Sequence, residues 1–150
     1  MAKRDDLSGK VVWVTGASSG LGKALAQECA LQGAQVVLTA RRLDELEKVR
    51  VSLLNPDLHI SVCADITDES QVRRAYEQVL QQKGRIDWLI NNAGLSQRAL
   101  IADTAMLTER AIMEVDYFSQ VFLTKTVLPA FLKQKSGRIA FVSSVAGLDR

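Results

Sequence analysis

The chain has 150 residues, 47% of them apolar and 24% charged, with a formal net charge of +2. That length suits one domain with a real core, and the composition excludes a disordered chain, which needs low hydrophobicity and high net charge. Basic residues are interspersed with acidic ones, as in Lys3-Arg4-Asp5-Asp6 and Asp44-Glu45-Leu46-Glu47-Lys48, which excludes the polybasic patch that nucleic acid or an anionic membrane would need.

The period of the apolar pattern switches back and forth along the chain. Residues 10–15 form a short β-branched run fit for a buried strand. Leu21, Leu25 and Cys29 then recur at helical spacing up to Gly33, a stop signal. A second strand is expected over 35–40, and a second helix through Leu43, Leu46, Val49 and Leu53, closed by Asn55-Pro56. Residues 58–64 read as a third strand. Asp68 can cap a third helix whose apolar face is Val72, Ala75, Tyr76, Val79 and Leu80, ended by Gly84. A fourth strand is expected over 86–90, a long helix over 108–133 bent at Pro129, and a fifth strand over 139–143. Strands alternating with helices mean βαβ units, a parallel sheet and right-handed crossovers with helices on both faces.

Cys29 and Cys63 stand far apart and outside any CxxC pattern, so neither a disulfide framework nor a zinc site is expected. The single His59 lies in an apolar run without partner ligands and reads as a strand-flanking residue. No apolar stretch follows Met1, and no run approaches the ~18 apolar residues of a membrane helix. The expected setting is therefore soluble, reducing and cytoplasmic, without a membrane.

The segment Thr15-Gly16-Ala17-Ser18-Ser19-Gly20-Leu21-Gly22 lies between the first strand and the first helix. Glycines would allow a tight turn and the close approach of a pyrophosphate, and a helix N-terminus there favours an anion. Ser18 and Ser19 can donate to phosphate oxygens. A tight strand–helix turn would also explain the glycines alone; their position within a βαβ unit favours the phosphate site.

In dinucleotide folds a residue about 20 positions further on meets the adenosine ribose. Here the run is Thr39-Ala40-Arg41-Arg42, with two guanidinium groups and no carboxylate. Guanidinium forks match a 2′-phosphate, so the expected cofactor is NADP (NADPH), with Arg41 the preferred contact. Basic residues at a helix start oppose the dipole, which argues against a purely decorative pair.

Four segments resemble the short-chain dehydrogenase/reductase family. The glycine turn looks like its TGxxxGxG motif, Asn91-Asn92-Ala93-Gly94 like its NNAG motif, and Val142-Ser143-Ser144-Val145-Ala146-Gly147 like the segment carrying its catalytic serine. Asp65, within Ala64-Asp65-Ile66-Thr67, looks like the aspartate that meets the adenine. All four stand in family order, and the resemblance runs from about Lys10 to the end. Val11-Val12-Trp13-Val14-Thr15-Gly16, Ala40-Arg41-Arg42, Gly94-Leu95-Ser96-Gln97-Arg98 and Leu123-Thr124-Lys125 further resemble the branch called dehydrogenase/reductase member 7; the membrane location of that branch is not carried over.

The resemblance implies a Rossmann-like doubly wound parallel sheet over residues 1–150, with strand order 3-2-1-4-5. It implies cofactor contacts from Gly16, Ser18, Ser19, Gly20, Leu21, Gly22, Arg41, Arg42, Asp65, Ile66, Asn92, Ala93 and Gly94, and hydride transfer between NADP(H) and a small carbonyl or alcohol substrate. Ser144 matches the substrate-orienting serine. Asp116 stands where the family usually has the relay asparagine, and its backbone carbonyl could still hold the relay water.

The family's tyrosine and lysine, four residues apart, are expected about a dozen residues past the serine, beyond Arg150. Tyr76 and Tyr117 are followed four residues later by Leu80 and Val121, so the chain alone is expected to be nearly inactive. The family's later helix and strands are likewise expected beyond the chain, which would leave the fifth strand an open edge. Phe118, Phe122 and Phe131 of the long helix could be core, exposed or the interface of a homo-oligomer. Three roles fit the sequence: part of a longer NADP-dependent oxidoreductase, a non-catalytic NADP-binding module, or an interaction partner of a full-length paralogue.

Overall fold

The computed structural model describes residues 6–144. Five strands form one parallel sheet: β1 (Val11–Thr15), β2 (Gln35–Ala40), β3 (Ile60–Cys63), β4 (Trp88–Asn91) and β5 (Arg138–Phe141), in the order β3-β2-β1-β4-β5. Register runs from Val11 opposite Gln35 to Thr15 opposite Thr39, and from Val12 opposite Trp88 to Val14 opposite Ile90. This is the expected doubly wound arrangement. The strand ends shift by one or two residues from expectation, because backbone pairing rather than side-chain character ends a strand.

Strand alternation sorts the core into two layers. Val12, Val14, Val36 and Leu38 point to one face, where they meet Ala26, Cys29 and Ala30 of α1 (Gly20–Leu31) and Leu46 and Val49 of α2 (Leu43–Ser52). Val11, Trp13, Val37 and Val62 point to the other, packing on Val72, Ala75 and Val79 of α3 (Glu69–Lys83) and Leu123, Val127 and Phe131 of α5 (Ser119–Gln134). Tyr76 and Leu80 lie partly buried beside that second cluster, completing the apolar face expected for α3. Each fully buried valine or leucine stabilises by about 1.5–3 kcal/mol, so central strands read as continuous apolar runs.

The long helix departs from expectation. It begins as α4 (Met106–Met113), passes through a π turn over Glu114–Phe118, and continues as α5. The π turn is centred on Asp116, and Pro129 lies inside α5 without ending it. Pro129 removes one backbone donor, which a helix packed on a sheet tolerates; the π turn inserts an i→i+5 bond, which apolar periodicity does not report. Of the three aromatics, Phe131 is core, Phe122 half-buried beneath the Arg73 guanidinium at 5.0 Å, and Phe118 exposed edge-on to Tyr117 at 5.2 Å.

At the end of the sheet where the strands begin, polar groups pin the loops. The Asp87 carboxylate accepts from the Val11 N–H at 2.9 Å and pairs with Arg85. His59 is 3% exposed. Its Nδ1 accepts from the Val36 N–H at 3.0 Å, which leaves Nε2–H to donate to the Leu54 carbonyl at 2.7 Å. The ring flanks β3 as expected, but as a two-sided bridge between β2 and the preceding loop. Burial pushes its pKa below the usual 6.5, helped by the Lys83 and Arg50 charges and opposed by the bond to Leu54. Burial likewise raises the Cys29 thiol to about 11.

Candidate functional site

The opposite end of the sheet, at the strand C-termini, carries a cleft of about 1020 Å³. The chain runs from β1 outward to β2 and β3 on one side, then crosses back to β4 and β5 on the other. Loops leaving β1 and β4 diverge at that switch point, which is where open parallel sheets place ligands.

Gly16 and Gly22 make the turn possible. A Cβ on Gly22 would lie 2.2 Å from the Gly16 carbonyl oxygen and 2.4 Å from Asn92 Nδ2. A Cβ on Gly16, whose φ is +64°, would lie 2.8 Å from the Ala93 Cα. Helix α1 can therefore start directly against the end of β1, with the Asn92-Ala93 segment laid over it.

The helix start itself is bare. Ser19 is the N-cap residue of α1 in extended conformation, yet its side chain makes no capping bond. Asp68, at the equivalent place on α3, accepts from the N–H groups of Ser70 and Gln71 and also from the Ser70 hydroxyl and the Gln71 side-chain amide; the two side-chain bonds foremost, with the backbone ones, hold its carboxyl at about 2. One helix thus caps its own first turn, and the other leaves its first turn without a side-chain cap beside the cleft that Ser19 lines.

Thr15 organises the opposite lip. Its buried hydroxyl donates to the Ile90 carbonyl at 3.4 Å and accepts from the N–H groups of Asn92 and Ala93 at 3.0 and 3.1 Å. The Asn92 amide in turn donates to the Thr15 and Gly16 carbonyls at 3.0 and 3.3 Å. Thr15 was expected at the strand end and in the TGxxxGxG motif, with no role of its own among the site residues.

Arg41 and Arg42 form the rim past β2, both exposed and both without an ion-pair partner among the described residues. Arg42 is also the N-cap residue of α2, where Asp44 and Glu45 offset its charge toward the helix dipole. Asp65 turns the chain after β3: its Oδ1 accepts from the Thr67 N–H and hydroxyl at 2.9 and 2.8 Å.

The cleft thus gathers Gly16, Ser18, Ser19, Leu21, Arg41, Arg42, Asp65, Ile66, Asn92, Ala93 and Gly94 on its walls. Gly20 and Gly22 lie within the first turn of α1 and do not line the cleft. Ala111, Glu114 and Val115, at the end of α4 and in the π turn, complete the far wall and were missed, because no local motif marks them. Asp116 borders the site without lining the cleft, and its Oδ1 accepts from the Leu95 N–H at 2.7 Å. Ser144 is exposed, two residues past Val142, whose N–H donates to the Asn91 carbonyl at 2.9 Å. The residues of the serine segment after Ser144 lie outside the described residues. No helix among the described residues is long and apolar enough to cross a membrane.

Comparison with known proteins matches the same frame. The chain is 44% identical over 148 residues to the human dehydrogenase/reductase SDR family member 7, and 46% identical over 149 residues to an SDR family protein 7-like protein of Anopheles gambiae. These matches cover 95% and 94% of the chain but 44% and 46% of the relatives, so the chain spans less than half their length. Among solved structures, a 7α-hydroxysteroid dehydrogenase complexed with NADH and 7-oxo glycochenodeoxycholic acid superposes with a TM-score of 0.91 at 29% identity, covering 100% of this chain and 60% of that one. A metagenomic short-chain oxidoreductase in complex with NADP gives 0.85 at 31% identity, covering 95% of this chain and 66% of that one. The family described as short chain dehydrogenase matches residues 10–150, and the chain belongs to it.

Proposed function

We propose that this chain binds NADP(H) in the cleft and serves a hydride transfer between NADP(H) and a carbonyl or alcohol substrate. The observation that carries the reading is one surface combining an uncapped α1 N-terminus with two guanidiniums that have no ion-pair partner among the described residues. The first turn of α1, with Gly16, Ser18, Ser19, Gly20 and Gly22, suits the pyrophosphate, since its free N–H groups and dipole favour an anion. Arg41, with Arg42 beside it, suits a 2′-phosphate, because a guanidinium fork matches phosphate oxygens and no carboxylate stands at that strand end. Asp65 and Ile66 suit the adenine side, and Asn92, Ala93 and Gly94 with Leu21 the nicotinamide side.

When bound, the cofactor supplies or accepts the hydride. Ser144 is then the residue that orients the substrate oxygen, and the Asp116 backbone carbonyl the place for a relay water. The 150 residues contain no tyrosine followed four residues later by lysine, so the chain by itself is expected to bind cofactor with little turnover. Two free thiols, one buried and one exposed, fit the reducing cytoplasm.

The test is calorimetric titration of the chain with NADPH and with NADH. Saturable binding at least about tenfold tighter for NADPH is expected, the size of one charge-assisted contact. Equal affinities would remove the phosphate role of the arginines, and binding of neither would remove the cofactor reading.

A further inference from the structure

Three side chains along the helical run hold the segment that leaves β4. Asn91 Nδ2 donates to Thr124 Oγ1 at 3.2 Å, Gln120 Nε2 donates to the Ala93 carbonyl at 3.1 Å, and Asp116 Oδ1 accepts from the Leu95 N–H at 2.7 Å. The helix contributes every fourth residue and the segment every second. Four helical residues rise about 6 Å and two extended residues about 6.6 Å, so the two repeats keep step over three antiparallel rungs.

The middle rung differs from the others. Gln120 is 9% exposed, and its amide is held where a lost partner would leave a buried donor unsatisfied. Ala93 is tied on both sides: its N–H donates to Thr15 of β1 at 3.1 Å while its carbonyl accepts from Gln120 of α5. Ala93 also presses on the glycine turn through its Cα and, with Gly94, lines the cleft. The wall of the cleft is therefore fixed by a clamp whose outer jaw is a helix residue that does not itself line the cleft.

We propose that Gln120 is a positioning residue, which sets the Ala93-Gly94 wall and thereby the binding of the nicotinamide half of the cofactor. This rests on the NADP(H) reading above. The adenosine half depends instead on the ends of β2 and β3, which the clamp does not touch. Loss of the Gln120 bond therefore weakens only ligands that reach past the pyrophosphate.

The test compares two ligands, NADPH and 2′,5′-ADP, which carries adenosine and the 2′-phosphate without nicotinamide. Gln120→Glu keeps the side-chain shape and places a carboxylate against the Ala93 carbonyl; Gln120→Met removes the donor without adding charge. Both variants are expected to bind NADPH about tenfold more weakly than the parent, with 2′,5′-ADP affinity changed less than about twofold. For Gln120→Glu, the ratio to the parent at equal pH recovers as the solution is acidified, since a protonated carboxyl can donate. Gln120→Met shows no such recovery. Faster amide hydrogen exchange over residues 91–95 in the unliganded Gln120→Met protein is a second expected readout.

Equal loss of both ligands would make the effect global and overturn the proposal, as would unchanged NADPH affinity in both variants. A parent chain that binds neither ligand would instead sink the cofactor reading, and the proposal with it. Binding of 2′,5′-ADP with NADPH no tighter than NADH would count against the arginines alone and leave the clamp to be judged on the variants.

Discussion

The indole N–H of Trp13 donates to the hydroxyl of Thr39 at 2.8 Å, and both side chains are about 1% exposed. The bond crosses from β1 to β2 two residues beyond the Trp13–Val37 pair, on the face covered by α3 and α5. Thr39 also stands at the edge of the cleft, and its backbone carbonyl accepts from the Ala17 N–H of the glycine turn at 3.2 Å.

Thr39→Val keeps the side-chain volume and strands the indole donor. A buried unsatisfied N–H costs about 1–3 kcal/mol. Chemical denaturation is expected to show that loss, with Tm lowered by roughly 2–4 °C per kcal/mol for a chain of this size. NADPH affinity is expected to hold, because the contact to Ala17 uses the backbone. A variant as stable as the parent would mean that water or a shifted Thr39 reaches the indole.

His59 makes stability depend on pH. Its Nδ1 must be unprotonated to accept from Val36, and its folded pKa lies below 6.5. The unfolded state therefore takes up a proton first as the pH falls. The contribution is complete above about pH 6.5, declines between the unfolded and folded pKa values, and is gone below the folded one. The neighbouring cations add to this: Arg50 donates to the Pro56 carbonyl and Lys83 to the Leu58 carbonyl, fixing positive charge around the ring. Denaturation midpoints measured from about pH 7 to 5 should fall with a slope of at most one proton, about 1.4 kcal/mol per pH unit. In His59→Leu that part of the slope should vanish; a slope that persists there belongs to other groups.

The alternation of strands and helices was legible because apolar periodicity reports which face of each element is buried; the order of strands in the sheet and the segments that line the cleft were implied by the family resemblance, carried by motifs in contiguous residues such as β1, the glycine turn and α1. Three features were not legible. The two bonds of His59 reach Val36 and Leu54, and nothing in the run around it distinguishes a bridging imidazole from a surface one. The π turn at Glu114–Phe118 keeps helical spacing on both sides, so apolar periodicity does not mark it. The Thr15 and Gln120 clamps join residues 78 and 27 positions apart, and pairings of that range exist only once the sheet has formed.

Gly22→Ala is expected to damage both fold and site. The added methyl would meet two groups that are themselves tied, the Gly16 carbonyl and the Asn92 amide, so neither can yield without moving the turn or the wall of the cleft. Overpacking of this kind costs about 1–3 kcal/mol. Gly84→Ala is the control: its φ is +74°, but a Cβ there meets nothing within 4 Å, so it brings backbone strain of about 1 kcal/mol without a clash. The two variants should lose comparable stability, and only Gly22→Ala should lose NADPH binding. Parallel losses of binding would mean that the turn senses overall stability rather than local shape.

The arginine pair separates by backbone position. Arg42 already serves as the N-cap residue of α2, its carbonyl accepting from the Leu46 N–H at 3.2 Å, whereas Arg41 lies one residue nearer the strand end and its carbonyl accepts from the Cys63 thiol at 3.3 Å. On the proposed NADP(H) reading, Arg41 would then be the first guanidinium that a 2′-phosphate at the end of β2 meets. Arg41→Ala should weaken NADPH by about 10–100-fold, the worth of a charge-assisted bond to phosphate, and leave NADH within about twofold. Arg42→Ala should cost less, since its charge acts from the helix start and is offset by Asp44 and Glu45. Raising ionic strength should shrink the Arg42 effect more than the Arg41 effect, because a charge acting at a distance is screened and a direct bidentate contact much less so. A larger loss from Arg42→Ala than from Arg41→Ala would reassign the phosphate to the helix start, and equal loss of NADPH and NADH in either variant would show that the side chain supports the fold of the rim rather than reading the phosphate.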